Sequence, residues 1–355
     1  MWKSSSVFRH FTKNMPTFAI KVLRENFSIL LVLIVYSATS WIVKFILDQD
    51  TMNGNRLGHG YLTGYIPPVF ALIFLTRIFP RFKEGFTGLG IVCREVRENH
   101  FSLEAIVNLI VILVVVPIFL LSFHTFKIAI PALHPFSWDE PLMKLDFAVH
   151  LGHHPWLLVQ SFLGYPEITR AIDYIYHHVW GGILFTMVFW MAWSPRRHLR
   201  KQFFLSFLIT WIGLGTVLAV VFSSAGPCYF DKISGPENPY APLMSYLSSI
   251  PDLPAIHTQK MLWEIHAQKF PVYFTGISAM PSMHVAAAVL CALVGWHLNR
   301  AVGLVLGVFA ILIQLGSVHL GWHYAVDGYV SALLTFIIWK WTSRIAKVPK
   351  AETMS

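Results

Sequence analysis

The run from Phe203 to Ser223 (FFLSFLITWIGLGTVLAVVFS), which carries no charge, constrains this chain more than any other feature. About 20 apolar residues are enough for a helix to cross the hydrocarbon core of a bilayer. A run that long has no polar face to turn toward water. In lipid, a helix satisfies its own backbone donors and acceptors. Two further stretches are nearly as clean: 28–47, interrupted by Lys44, and 105–126. Weaker ones lie near 61–75, 174–193, 281–298, 301–318 and 324–341. The reading is an all-α polytopic membrane protein of about eight transmembrane helices. The spans near 61–75 and 281–298 are short enough to be tilted or re-entrant.

Composition agrees. The chain is 55% hydrophobic and 13% charged, whereas a soluble domain carries roughly 25% charged residues. Disordered, collagen-like and disulfide-scaffold classes are excluded. Cys93, Cys228 and Cys291 are too few and too scattered for a disulfide framework or a zinc site.

A net charge of +9 would suit a nucleic-acid binder, but its placement argues otherwise. Basic residues cluster at 3–24, 77–97, 196–201 and 340–350, with Arg300 between the last two, at the ends of alternate spans. That is the positive-inside pattern with both termini cytoplasmic. The excess charge is a topology signal, and no nucleic-acid partner is expected. Residues 1–27 read as a cytoplasmic interfacial segment and not as a cleaved signal peptide. Two long loops, 127–173 and 224–280, then face the outer side, and loops of that length are usually functional. The first reads as amphipathic helices on the outer membrane surface.

Ionisable residues at the mouth of membrane spans are costly and point to function. His284 lies in MPSMH at the start of the sixth span, and Pro281 suits the first helical turn. His323 and Asp327 open the eighth span and, four apart, share a helix face. Both histidines then sit at the same depth, at helix N-termini whose free amides and dipole favour an anion. Chemically this is a nucleophilic imidazole, a carboxylate that fixes its tautomer, and a second imidazole for proton transfer.

These residues carry a resemblance. PSMH at 281–284 resembles the PS-x-H motif of the type 2 phosphatidic acid phosphatase superfamily, and HYAVD at 323–327 resembles its final H-x-x-x-D. The strings GISAMPSMHVAAA, SVHLGWHYAVDG and SSAGPCYF are similar to the inositol phosphorylceramide synthase branch and its bacterial relatives. The resemblance implies a six-helix core, neither metal nor other cofactor, and phosphoryl transfer through a phospho-histidine. It makes His323 the nucleophile, Asp327 its partner and His284 the acid/base. It covers about 101–343, leaving 28–100 as a two-span N-terminal addition and 344–355 as a cytoplasmic tail. Two departures stand out. The family's first motif, a lysine and an Arg-Pro that grip phosphate, is absent, and Ser317 occupies the place of the third-motif arginine. Lys232 is the candidate to meet the phosphate charge, with Ser282, His319, Tyr229 and the helix N-terminal amides assisting.

Other features have plainer readings. His150, His153 and His154 have helical spacing but no HExxH-like pairing, so they read as an interfacial cluster and not as a metal site. His177 and His178 are candidates for lining the cavity. Asp139, Glu140 and Asp146 read as caps or loop charges, with Asp139 also a candidate to face the site.

The function expected is a metal-independent lipid phosphotransferase or phosphatase on the outer face of a bacterial inner membrane. Its partners would be a phosphate-bearing lipid donor and a lipid alcohol or water as acceptor. The competing class is a lipid transporter or lipid-binding protein using the same histidines for proton relay or binding. It lacks paired broken helices in corresponding halves. A haem carrier would need facing mid-span histidines, whereas most of the 17 sit in loops or at span ends.

Overall fold

The computed structural model describes residues 5–47, 103–234, 237–267 and 276–346, and all regular structure among them is helical. In chain order, α1 is Ser5–Ile46, α2 Leu103–Leu133, α3 Asp139–Val149, α4 Pro155–Leu163 and α5 Pro166–Tyr174. A π-helical turn, Ile175–Val179, joins α5 to α6, Trp180–Ala192. Helix α7, Arg197–Ile212, runs through a second π turn, Gly213–Leu218, into Ala219–Val221. Then follow α8, Ala241–Ser249; α9, Pro254–Ala267; α10, Met283–Leu298; α11, Arg300–His319; and α12, Ala325–Ile345.

Four helices among the described residues are long and apolar enough to cross a membrane: Arg24–Ile46, Ile106–Leu133, Arg197–Val221 and Arg300–His319. Their outward faces are apolar, with Trp41, Phe45, Val305 and Ile311 exposed, as lipid contact requires. Helix α10 is apolar but shorter. Helix α12 has 21 residues but carries Asp327, Lys340 and Arg344. The expected span near 61–75 lies outside the described residues. Among those described, the expectation of eight therefore rests on four helices of full length and apolarity.

Helix α1 runs unbroken for 42 residues, and its candidate span is the part Arg24–Ile46. At 1.5 Å per residue the whole helix is roughly 60 Å long, twice the hydrocarbon thickness.

Two cores organise the rest. One joins α1, α2, α6, α7 and α10 through Phe119, Phe203, Phe207, Met191 and Leu290. Helix α7 is fastened to α12 by hydrogen bonds from Gln202 to the Trp339 carbonyl, 3.0 Å, and between Ser206 and Thr342, 2.7 Å. Helices α10 and α11 cross closely at Gly295 and Gly303, where a Cβ on Gly303 would collide with Trp296. The second core lies beyond the ends of these helices, where α3, α4, α5 and α8 pack Leu142, Trp156, Ile172 and Leu243 onto α11 and the start of α12. The opposite sides of α3 and α4 expose Leu145, Phe147, Leu157 and Phe162, as helices lying on a membrane surface would. The start of α10 stands at the junction, with Val285 in the second core and Ala287 in the first.

Candidate active site

The three motif strings converge at that junction, and backbone hydrogen bonds knit them together. The Ala279 amide donates to Ser224 O at 2.8 Å, Cys228 N to Gly321 O at 2.9 Å, and Ser282 N to Asp327 O at 3.4 Å. Gly226 makes the close approach possible. Its φ is +103°, and a Cβ there would stand 2.5 Å from the Trp322 carbonyl oxygen. Both the positive φ and the contact call for glycine.

His284 and His323 face each other with ring centroids 6.5 Å apart. His284 lies in the first turn of α10, its ring stacked on Tyr176 at 4.3 Å and tilted against Trp180 at 4.1 Å. Trp180 Nε1 donates to the His284 carbonyl at 2.9 Å, which fixes the helix start from the side. Ser282 is the N-cap of α10, without a side-chain cap bond, and its buried Oγ has no partner. Pro281 thus precedes the cap and does not occupy the first turn as expected. The chain at Ser282 is still extended, with ψ 109°.

His323 is likewise not helical. It sits in the loop before α12, and Tyr324 is the N-cap. The pair with Asp327 forms all the same, because the Asp327 side chain, in the first turn, folds back over the cap. Its Oδ2 stands 3.2 Å from His323 Nδ1 and accepts from Tyr324 N at 3.0 Å. The other oxygen, Oδ1, is buried and unpartnered. Burial pushes the His323 imidazole down to about 3, aided by the positive charge of Lys127, so it is neutral at neutral pH.

Two carboxylates of α3, read from sequence as caps or loop charges, hold this assembly. Asp146 accepts from Ala325 N at 2.8 Å and Val326 N at 2.9 Å, occupying the first-turn amides of α12. Asp139 accepts from Ala225 N at 2.9 Å, Gly226 N at 2.8 Å and the Tyr324 hydroxyl at 2.8 Å. Both are buried. Desolvation outweighs the donors in each, pushing Asp139 up and Asp146 up to about 6. The expected use of α12 amides for phosphate is therefore corrected: Asp146 already holds them. The signal was the spacing, since residues seven apart lie two turns apart on one helix face.

The expected phosphate-binding residues scatter. Lys232 is exposed, its Nζ 5.0 Å over the Trp263 ring in a cation–π contact. Tyr229 is buried, stacks on Trp263 and donates its hydroxyl to the Gln259 carbonyl at 3.0 Å. His319 is buried, with Nε2 2.9 Å from Thr169 Oγ1. Each of these three has a partner other than the paired histidines, while Ser282 stands two residues before His284. His150 bonds the Asp146 carbonyl and Tyr329, while the His154 ring meets Tyr240 and Phe147, so the interfacial histidines turn to separate partners. Among the described residues no group of three metal-ligating side chains converges.

Sequence reasoning missed the cation that is present. Lys127, partly buried in α2, lies within electrostatic reach of both His284 and His323. The signal was its place: Lys127 directly follows the apolar stretch 105–126, at the mouth of a span.

Neither the curated proteins nor the solved structures compared contain a match to this chain. A family model does match, that of the PAP2 superfamily, over residues 140–341, which is more than half of the chain. The match runs from α3, with Asp146, through both histidine motifs and most of α12. With its apolar helices, this multi-pass membrane protein belongs to the PAP2 superfamily, whose members are generally phosphatases acting on phosphate esters.

Proposed function

We propose that the chain is a lipid phosphotransferase or phosphatase of the inositol phosphorylceramide synthase-like branch, working through a phospho-histidine at His323 on the outer membrane face. The observation that carries this reading is the pairing of two opposed imidazoles, 6.5 Å apart, with a buried carboxylate behind one of them. That spacing suits a phosphoryl group between a nucleophile and a proton donor.

In the first half-reaction, the His323 nitrogen facing away from Asp327 attacks phosphorus. The bond from phosphorus to the leaving oxygen breaks, and His284, protonated when the anionic substrate binds, gives that oxygen a proton and is left as neutral imidazole. Asp327 accepts from His323 Nδ1–H and stabilises the positive charge that develops on the ring. In the second half, an alcohol or water attacks phosphorus, returns a proton to His284, and the nitrogen–phosphorus bond breaks. Lys127 offsets charge on the phosphate oxygens, in the part expected for Lys232. The uncapped start of α10, with Ser282 Oγ, supplies further donors. The synthase-like strings favour a lipid alcohol over water as acceptor. Residues 101–343 would form the catalytic core, and 28–100 the addition to it.

Product analysis tests this. Purified wild type and His323→Ala are incubated with a membrane lipid extract supplemented with ceramide or diacylglycerol, and products are read by mass spectrometry. A new phospholipid made by wild type alone identifies a transferase, and free phosphate with a dephosphorylated lipid identifies a phosphatase. Equal products from both proteins overturn the proposal.

A further inference from the structure

The proposed reaction leaves a third histidine unused. His177 lies on the π turn Ile175–Val179, where the helix carries an extra residue per turn, a feature that often marks functional sites. The turn presents two successive side chains to the same region. Tyr176 stacks on His284, and the His177 ring stands edge-on to Trp322 at 5.8 Å, next in sequence to His323. Behind it, His177 Nδ1 bonds the Asp173 main-chain carbonyl at 3.1 Å, with Asp173 Oδ1 at 2.6 Å and itself without a hydrogen bond. Asp173 is buried, and its second oxygen accepts from Ala255 N in the first turn of α9 at 3.3 Å. The Asp173 main-chain carbonyl thus orients the ring, with the buried carboxylate beside it. The His177 side chain keeps 21% of its surface accessible, whereas Asp173 keeps 1%. Its Nε2, on the far edge of the ring, makes no hydrogen bond with the described residues.

Three buried polar atoms here lack partners: Nε1 of Trp322 and the hydroxyl of Tyr176, whose rings lie against His177, and Oγ of Ser282, two residues before His284. Buried donors are nearly always satisfied, and each exception calls for an explanation. Three around the same pair of histidines match a ligand rich in acceptor oxygens. Arginine is missing at Ser317, so the anion must be met by donors from elsewhere in the fold.

We propose that His177, oriented by Asp173, is a substrate-binding residue that donates from Nε2 to a non-bridging oxygen of the lipid phosphate, with Trp322 Nε1 as a second donor. This rests on the phosphoryl-transfer reading above and adds the groups that stand in for the absent arginine. Donors that hold the phosphate equally before and during reaction lower KM and leave kcat alone.

The test uses the purified full chain in detergent, dioleoyl phosphatidic acid as substrate and orthovanadate as a phosphate-like probe titrated by calorimetry. His177→Ala raises KM by about ten- to a hundredfold, as loss of a hydrogen bond to a charged group predicts. It weakens vanadate binding by a similar factor and leaves kcat within about threefold. Trp322→Phe, which keeps the ring and deletes the N–H, shifts both constants the same way and guards against a His177 variant that fails to fold. Unchanged KM and vanadate affinity in both variants overturn the proposal, as does a fall in kcat at constant KM, which would put His177 in the chemistry. A dead His323→Ala beside an unaffected His177→Ala overturns this inference alone. An active His323→Ala, or a wild type that binds no vanadate, overturns the phosphoryl-transfer reading and this inference with it.

Discussion

Removing the Asp146 carboxylate tests how the site is held. In Asp146→Ala the amides of Ala325 and Val326 lose their acceptor in a buried place. An unsatisfied buried donor costs about 1–3 kcal/mol, so two cost roughly 2–6 kcal/mol. An opposing effect comes from the carboxylate itself. Its folded pKa of about 6, against 3.8 in the free side chain, records a net penalty of about 3 kcal/mol on the charged form at neutral pH, desolvation exceeding the help of the two amides. Asp146→Asn keeps one acceptor oxygen without the charge, so it stays near wild-type stability at pH 7, whereas Asp146→Ala melts several degrees lower. The sign with pH follows. A raised folded pKa means that the native state holds the extra proton between 3.8 and about 6. This group's contribution is present in full below 3.8 and is lost as pH rises through 6. Relative to Asp146→Asn, wild type therefore gains about 2 kcal/mol on going from pH 7 to pH 4. Heating in detergent followed by gel filtration, at both pH values, reads these shifts. Activity gives the second readout. His323 and Asp327 flank the amides that Asp146 holds, and a 1 Å displacement of a catalytic group costs on the order of 10²-fold in rate. Wild-type melting and turnover in Asp146→Ala would refute the claim that α3 holds the start of α12.

Other substitutions separate the remaining assignments. Lys127→Met raises KM for a lipid phosphate at least tenfold, the loss of one charge-assisted contact, while Lys232→Ala leaves both constants unchanged; steady-state kinetics of the two variants distinguish them. Gly226→Ala forces a Cβ against the Trp322 carbonyl at positive φ and lowers the melting temperature and kcat together, whereas wild-type behaviour would contradict the close approach.

The charge-free run at 203–223 and the apolar stretches around it were legible, because hydrocarbon imposes length and apolarity on each helix separately. The meeting of His284 with His323 was also legible, since both precede or open helices whose starts the sequence marks. What lay hidden depended on tertiary distance or on the backbone. Asp139 and Asp146 look like surface charges of an amphipathic helix until the loop at 224–226 and the start of α12 fold over them. Lys127 lies inside an apolar run, where hydropathy counts it as an interruption. The π turn beneath Tyr176 and His177 adds one residue per turn without any change in apolar composition. Lys232 and Tyr229 drew attention by adjacency to SSAGPCYF, yet Trp263, more than 30 positions away, takes both.

The central claim is a covalent phospho-histidine at His323, and trapping it is the most direct measurement. Wild type, His323→Ala and His284→Ala are mixed briefly with a lipid phosphate labelled with ³²P on phosphorus, quenched in alkali and digested for peptide mapping. The account predicts an acid-labile, alkali-stable label on the peptide carrying His323 in wild type, and none in His323→Ala. With an activated donor, whose leaving group needs no proton, His284→Ala retains the label. Turnover without any labelled peptide, or a label that persists in His323→Ala, would contradict it.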